Sequence, residues 1–140
     1  TDMATPVGAW PLRRLYFRPD RVRLPDTGLP VIPLDENMGW CDDPGDPAYN
    51  MPVGLPYGGR HERLWREDGL YDLIVVLGHN DSPPIPWRGS AVFLHLREYD
   101  TRHTAGCVAV TREDMLALLR AADTNTILRI GGQARLDRPS

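Results

Sequence analysis

Glycine and proline punctuate this chain so often that long regular elements have little room before residue 90. The 140 residues include 13 Gly and 14 Pro. Most of them fall in that first part, where turn-rich segments such as Cys41 to Tyr57 separate short apolar runs. Six runs read as strands from their alternating or β-branched residues: Leu12 to Tyr16, Leu29 to Pro33, Tyr71 to Leu77, Ser90 to Leu96, Cys107 to Val110 and Thr126 to Ile130. Leu73 to Leu77 is an uninterrupted apolar stretch and is expected to be the most buried strand.

One helix stands out after the last glycine-poor strand. Thr111 can cap it, Asp114 occupies the third helical position as in a capping box, and Met115, Leu118, Leu119 and Ala122 share a face. That apolar stripe reads as core, holding the helix against the sheet. A second helical turn is expected over Glu62 to Glu67. Strands dominate and do not alternate with helices, which argues against a doubly wound parallel sheet. The expected fold is mainly β, a sandwich or barrel with one or two helices. Asp42 to Pro47 reads as turns, and no repeat or linker divides the chain, so residues 1–140 are expected to form one domain.

The chain is 41% hydrophobic and 25% charged, ordinary for a soluble globular protein and too apolar for a disordered one. With 16 Lys+Arg against 19 Asp+Glu the net charge is -3, and no basic stripe is available to neutralise phosphates. Nucleic acid is therefore not an expected partner. No apolar run approaches the roughly 20 residues that span a bilayer. No signal peptide is visible, and Thr1 to Val7 run straight into domain-like sequence, as though leading residues had been trimmed. Cys41 and Cys107 are too few to staple a scaffold and are read as free thiols.

The most informative stretch, GSAVFLHLREYDTRHTAGCVAV from Gly89 to Val110, ends one apolar run on a histidine and begins another on a cysteine. If these runs are neighbouring strands joined by the polar loop Arg97 to Thr104, the His95 imidazole and Cys107 thiol can meet at one end of a sheet. A free thiol titrates near 8.5 and is mostly protonated at neutral pH, so a histidine that takes its proton supplies the reactivity. Successive amides at Ala105, Gly106 and Cys107 can converge on a developing oxyanion, with Gly106 permitting close approach. Spacing alone supports equally a buried small hydrophobe at Cys107 and a hydrogen-bonded core histidine at His95.

FLHL followed by TAGCVAV resembles the active-site signature of L,D-transpeptidase catalytic domains of the YkuD type, in which a histidine precedes a Ser/Thr-x-Gly-Cys segment. The resemblance extends to ATPVGAWPL near the start, similar to a Thr-Pro-x-Gly turn that leads into a strand. It implies Cys107 as the acyl-accepting nucleophile, His95 as the base and Leu96 as the residue whose carbonyl orients that base. Thr104 and Gly106 match the flanking signature, with Thr104 at a substrate-binding position. Two positions depart from the pattern: Ala105 stands where His is common, and Ala109 where Arg or Asn is common. The amide donor at residue 105 survives this change, because any residue but proline keeps its N–H.

The resemblance further implies a peptidoglycan stem peptide as donor, a bacterial envelope location on the periplasmic side, and no metal or organic cofactor. The thiolate attacks a carbonyl next to an L-centre, expels a terminal D-residue and passes the acyl group to an amine. With water as acceptor the same site is a peptidase or amidase, and a catalytically silent envelope-binding domain of the same fold is the alternative from another class. GWCDDPGDPAYN, Gly39 to Asn50, together with His61 resembles an insertion found in a bacterial subgroup, which implies a lid or cleft wall with Trp40, Cys41 and His61 as candidate substrate contacts. Taken singly, these residues read more readily as parts of a turn-rich loop packed for stability than as substrate contacts. HERLW, from His61, falls short of a two-histidine zinc helix because Trp65 stands where the second ligand belongs, and His103 lies in a polar loop that disfavours it as a rival base.

Overall fold

A computed structural model describes residues 8–81, 92–97, 108–130 and 135–137. In chain order the elements are β1 (Gly8–Phe17), β2 (Val31–Pro33), β3 (Met38–Cys41), β4 (Pro52–Gly54), β5 (His61–Arg63), β6 (Leu73–Leu77), β7 (Phe93–Leu96), β8 (Val108–Val110), α1 (Arg112–Ala121), β9 (Ile127–Ile130) and β10 (Arg135–Asp137). The larger sheet runs β10-β9-β1-β6-β7-β8, with β2 also paired to β1. A smaller sheet has the order β4-β3-β5. The fold is thus mainly β, with one helix among the described residues, as a sandwich of the YkuD kind.

β1 organises the larger sheet. Gly8 to Pro11 pair antiparallel with β9, Leu12 to Phe17 pair antiparallel with β6, and the register shifts between Leu12 and Arg14. Such a shift locally increases twist and lets one strand serve two sets of partners. Alternate residues then face opposite ways. Leu15, Leu73, Val75, Leu94 and Leu96 join Met115 and Leu119 of α1 in one core. Tyr16, Ile74, Val76 and Phe93 join Trp40 and Leu64 in the other, between the larger sheet and the β3 region. Because both faces of β6 are covered, all five of its residues are buried, which is why it reads as an unbroken apolar run rather than an alternating one.

The helix begins as its cap predicts: the Thr111 side chain accepts a hydrogen bond from the Asp114 amide at 3.2 Å. Met115, Leu119 and Ala122 are buried, while Leu118 is half-buried against the same core. The expected helical turn at Glu62 to Glu67 is not present. His61 to Arg63 form β5 instead, pairing with Gly39 to Cys41, and Leu64 enters the core. Glu, Arg and Leu favour helix only weakly, and the open edge of β3 overrides that preference. Gly39 to Asn50 likewise is not wholly a loop: its first three residues belong to β3, and β4 follows at Pro52.

Candidate functional site

His95 lies on β7 between Leu94 and Leu96, so the strand's alternation sends its side chain to the face it shares with Phe93. It is 1% exposed. Its Nδ1 is 2.7 Å from the Leu96 carbonyl oxygen. A carbonyl only accepts, so Nδ1 must carry the proton and donate, and in the neutral imidazole Nε2 is left as the acceptor. This is the tautomer a base requires. Burial pushes the imidazole below its ordinary titration range, the contact with the Leu96 carbonyl opposes that shift, and the nearby Arg66 guanidinium adds to it. The ring is consequently neutral at pH 7 and able to take a proton.

The strand that supports this histidine is itself anchored. Ile74 stands opposite His95 in the antiparallel β6–β7 pair, and the Leu96 amide donates to the Leu70 carbonyl at 3.0 Å. Tyr71 packs edge-on against the imidazole, with ring centroids 5.3 Å apart, and its hydroxyl hydrogen-bonds Glu62 of β5. Arg66 lies over the Tyr71 ring at 4.9 Å and pairs with Asp68. The smaller sheet therefore reaches His95 through a Glu62–Tyr71 contact. Neither residue emerges from sequence reading, because Glu62 sits in a segment that looks helical and Tyr71 at the start of an apolar run.

β8 runs parallel to β7, pairing Leu94 with Val108, His95 with Ala109 and Leu96 with Val110. The two apolar runs of the sequence are thus neighbours in one sheet. Ala109, which stands where the family pattern carries Arg or Asn, is the residue opposite His95. Thr104, Ala105, Gly106 and Cys107 lie outside the described residues, and β8 begins at the residue after Cys107.

Trp40 and Cys41 are at 3% and 0% exposure, and His61 is half-buried. Trp40 packs edge-on against Phe93 at 5.2 Å and donates its indole N–H to Asn50 at 3.0 Å. Cys41 is paired in register with His61, whose ring meets Tyr57 edge-on at 6.0 Å and whose Nδ1 donates to the Gly59 carbonyl at 2.9 Å. The Tyr57 hydroxyl is raised well above its ordinary range, first by its hydrogen bond with Asp46, then by desolvation and by Cys41. Trp40, Cys41 and His61 are brought together on β3 and β5, while Trp40 alone of the three joins the core that contains Phe93. Among the described residues no three His, Cys, Asp or Glu side chains cluster as a metal centre would need.

Among the described residues His95 is the one fully buried imidazole, held by its own strand between two β layers. The family model for YkuD, the L,D-transpeptidase catalytic domain, matches residues 1–130, and the chain belongs to that family. The family implies a peptidoglycan peptide as substrate and the cell wall as its place of action. No curated protein and no solved structure matches the chain.

Proposed function

We propose that the protein is a cysteine-dependent L,D-transpeptidase acting on peptidoglycan stem peptides in the bacterial envelope, on its periplasmic side, with Cys107 as nucleophile and His95 as base. The reading is carried by the hydrogen bond from His95 Nδ1 to the Leu96 carbonyl, which fixes Nδ1 as the protonated nitrogen of the neutral ring and so makes Nε2 the basic one. Family membership and the parallel pairing of β7 with the strand that follows Cys107 support it.

In this mechanism the Cys107 proton passes to His95 Nε2 and the thiolate attacks the donor carbonyl. The amides of residues 105–107 stabilise the oxyanion. Collapse of the tetrahedral intermediate breaks the C–N bond, the imidazolium returns its proton to the departing amine of the terminal D-residue, and a thioester remains on Cys107. An acceptor amine then attacks the thioester, giving up a proton to His95, and expels the thiolate. The Thr104 side chain, with Trp40 and His61, belongs to the substrate-binding part of this proposal, whereas Cys41 is fully buried and stands outside it.

Incubation with a carbapenem or a disaccharide tetrapeptide is expected to add one acyl group to Cys107, read by mass spectrometry of the digested protein. Cys107→Ala should abolish adduct and turnover, His95→Ala should remove most of the rate, and Cys41→Ser should leave turnover largely intact. Full activity in Cys107→Ala would sink the mechanism, and a wild-type protein that never forms an adduct would be a silent domain of the same fold. Product analysis with an amine and water in competition separates transpeptidase from peptidase.

A further inference from the structure

A cavity of about 150 Å³ opens between the two sheets, lined by Arg14, Trp40, Asn50, Val76, Asp81 and Val92 among others. Its charges are unevenly satisfied. Asp81 is already neutralised by the neighbouring Arg13, whose Nε and Nη2 lie 3.1 and 3.4 Å from its two oxygens. Arg14 has no carboxylate partner among the described residues. Its Nε donates to the Tyr16 hydroxyl at 3.3 Å, and its guanidinium carbon sits 5.8 and 5.7 Å from the centres of the Tyr16 and Trp40 rings. The aromatic contacts hold the guanidinium in place without using its terminal Nη–H groups, which remain available to an anion while the Nε–H is given to Tyr16.

The other polar wall is engaged in holding the cavity's shape. Asn50 adopts a left-handed conformation with φ 59° and is 5% exposed. Its side-chain oxygen accepts from Trp40, and its amide donates to the carbonyls of His79 and Asn80 at 2.9 and 2.6 Å. Val76 and Val92 add apolar surface. The volume equals roughly five waters at about 30 Å³ each, room for a carboxylate on a short aliphatic stem.

The cavity also stands in register with the histidine. Arg14 pairs with Val76 and Val76 with Phe93, while Ile74 pairs with His95, so the cavity lies two residues along the strands from the imidazole on the same face. Two residues of strand span roughly 7 Å, the length of about two residues of an extended peptide.

We propose that this cavity is a carboxylate subsite, in which Arg14 binds a carboxylate of the peptide substrate and Trp40 forms one wall. The proposal rests on the peptide-acyl-transfer reading and adds to it the group by which the peptide is recognised. Either a terminal or a side-chain carboxylate has the required chemistry, and the choice between them is made by the probes.

The test uses calorimetric binding to the full chain carrying Cys107→Ala, so that no turnover occurs. The probes are an L,D-alternating tetrapeptide with both carboxylates free and two versions in which the terminal or the side-chain carboxylate is a carboxamide. The free peptide should bind at least about tenfold more tightly than one of the amides, as a charge-assisted contact provides. Arg14→Gln should erase that preference without weakening the amide, and Arg14→Lys should restore part of it. Equal loss for acid and amide peptides, an unchanged preference, or no binding of the acid peptide would each overturn the subsite. Arg14-dependent binding together with no adduct at Cys107 in the wild-type protein would instead overturn acyl transfer and leave the subsite standing.

Discussion

At the scale of single residues, the fold sets the charge of His95 by withdrawing it from water. Its titration lies below the ordinary value of 6.5 because burial disfavours the imidazolium. The unfolded chain therefore binds that proton first as pH falls. The contribution to stability is complete above about pH 6.5 and is lost as pH falls through the folded value. The urea midpoint of the wild-type protein should accordingly drop between about pH 7.5 and 5 more than that of His95→Gln, which cannot titrate there. Parallel curves for the two proteins would show that His95 titrates alike in both states. The strand histidine and its contact with the Leu96 carbonyl were legible in the sequence because the family signature surrounds His95 within one short stretch. Tyr71 and Glu62 were not, because their hydrogen bond depends on where two separately folded segments meet.

Between elements, Asp72 joins β6 to α1 and to the chain that follows β1. Its carboxylate is 5% exposed and receives Arg21 at 3.2 Å and Arg112 at 3.0 Å, whose side chains are 30% and 47% exposed. Arg112 is the first residue of the helix, where a positive charge opposes the helix dipole, and the Asp72 carboxylate offsets that conflict. Solvent reaches both arginines, so Arg21→Gln and Arg112→Gln should each cost only about 1 kcal/mol. The double variant should cost more than their sum, since it removes both cations that pair directly with a buried carboxylate. Urea denaturation of the four proteins as a double-mutant cycle measures the excess, and strict additivity would mean that Asp72 is well solvated. The helix itself could be read from Thr111 and its apolar stripe because caps and periodicity are local. β3, β4 and β5 could not, because strands of three or four residues carry too little pattern and exist only through their pairing.

For the molecule as a whole, Phe93 is the pin between the two sheets. It is 0% exposed and meets Trp40 and Tyr71 edge-on at 5.2 and 5.9 Å. Phe93→Ala should destabilise the protein by about 3–5 kcal/mol, as expected for a large cavity in a closed core. Thermal or urea unfolding measures that loss, and a cost below about 1 kcal/mol would mean the sheets can collapse onto the gap. The sequence by itself determined the mainly β class, the buried LIVVL strand and the capped helix, since each is written in local pattern, and it singled out His95 and Cys107 for the proposed chemistry through a short family signature. Tertiary structure alone decided that HERLW is a strand, that β8 runs parallel to β7, and that Glu62, Tyr71 and Arg14 gather on the face of His95. Those outcomes depend on which backbone edges and side chains meet across long separations, and local preferences of a few tenths of a kcal/mol per residue yield to that pairing.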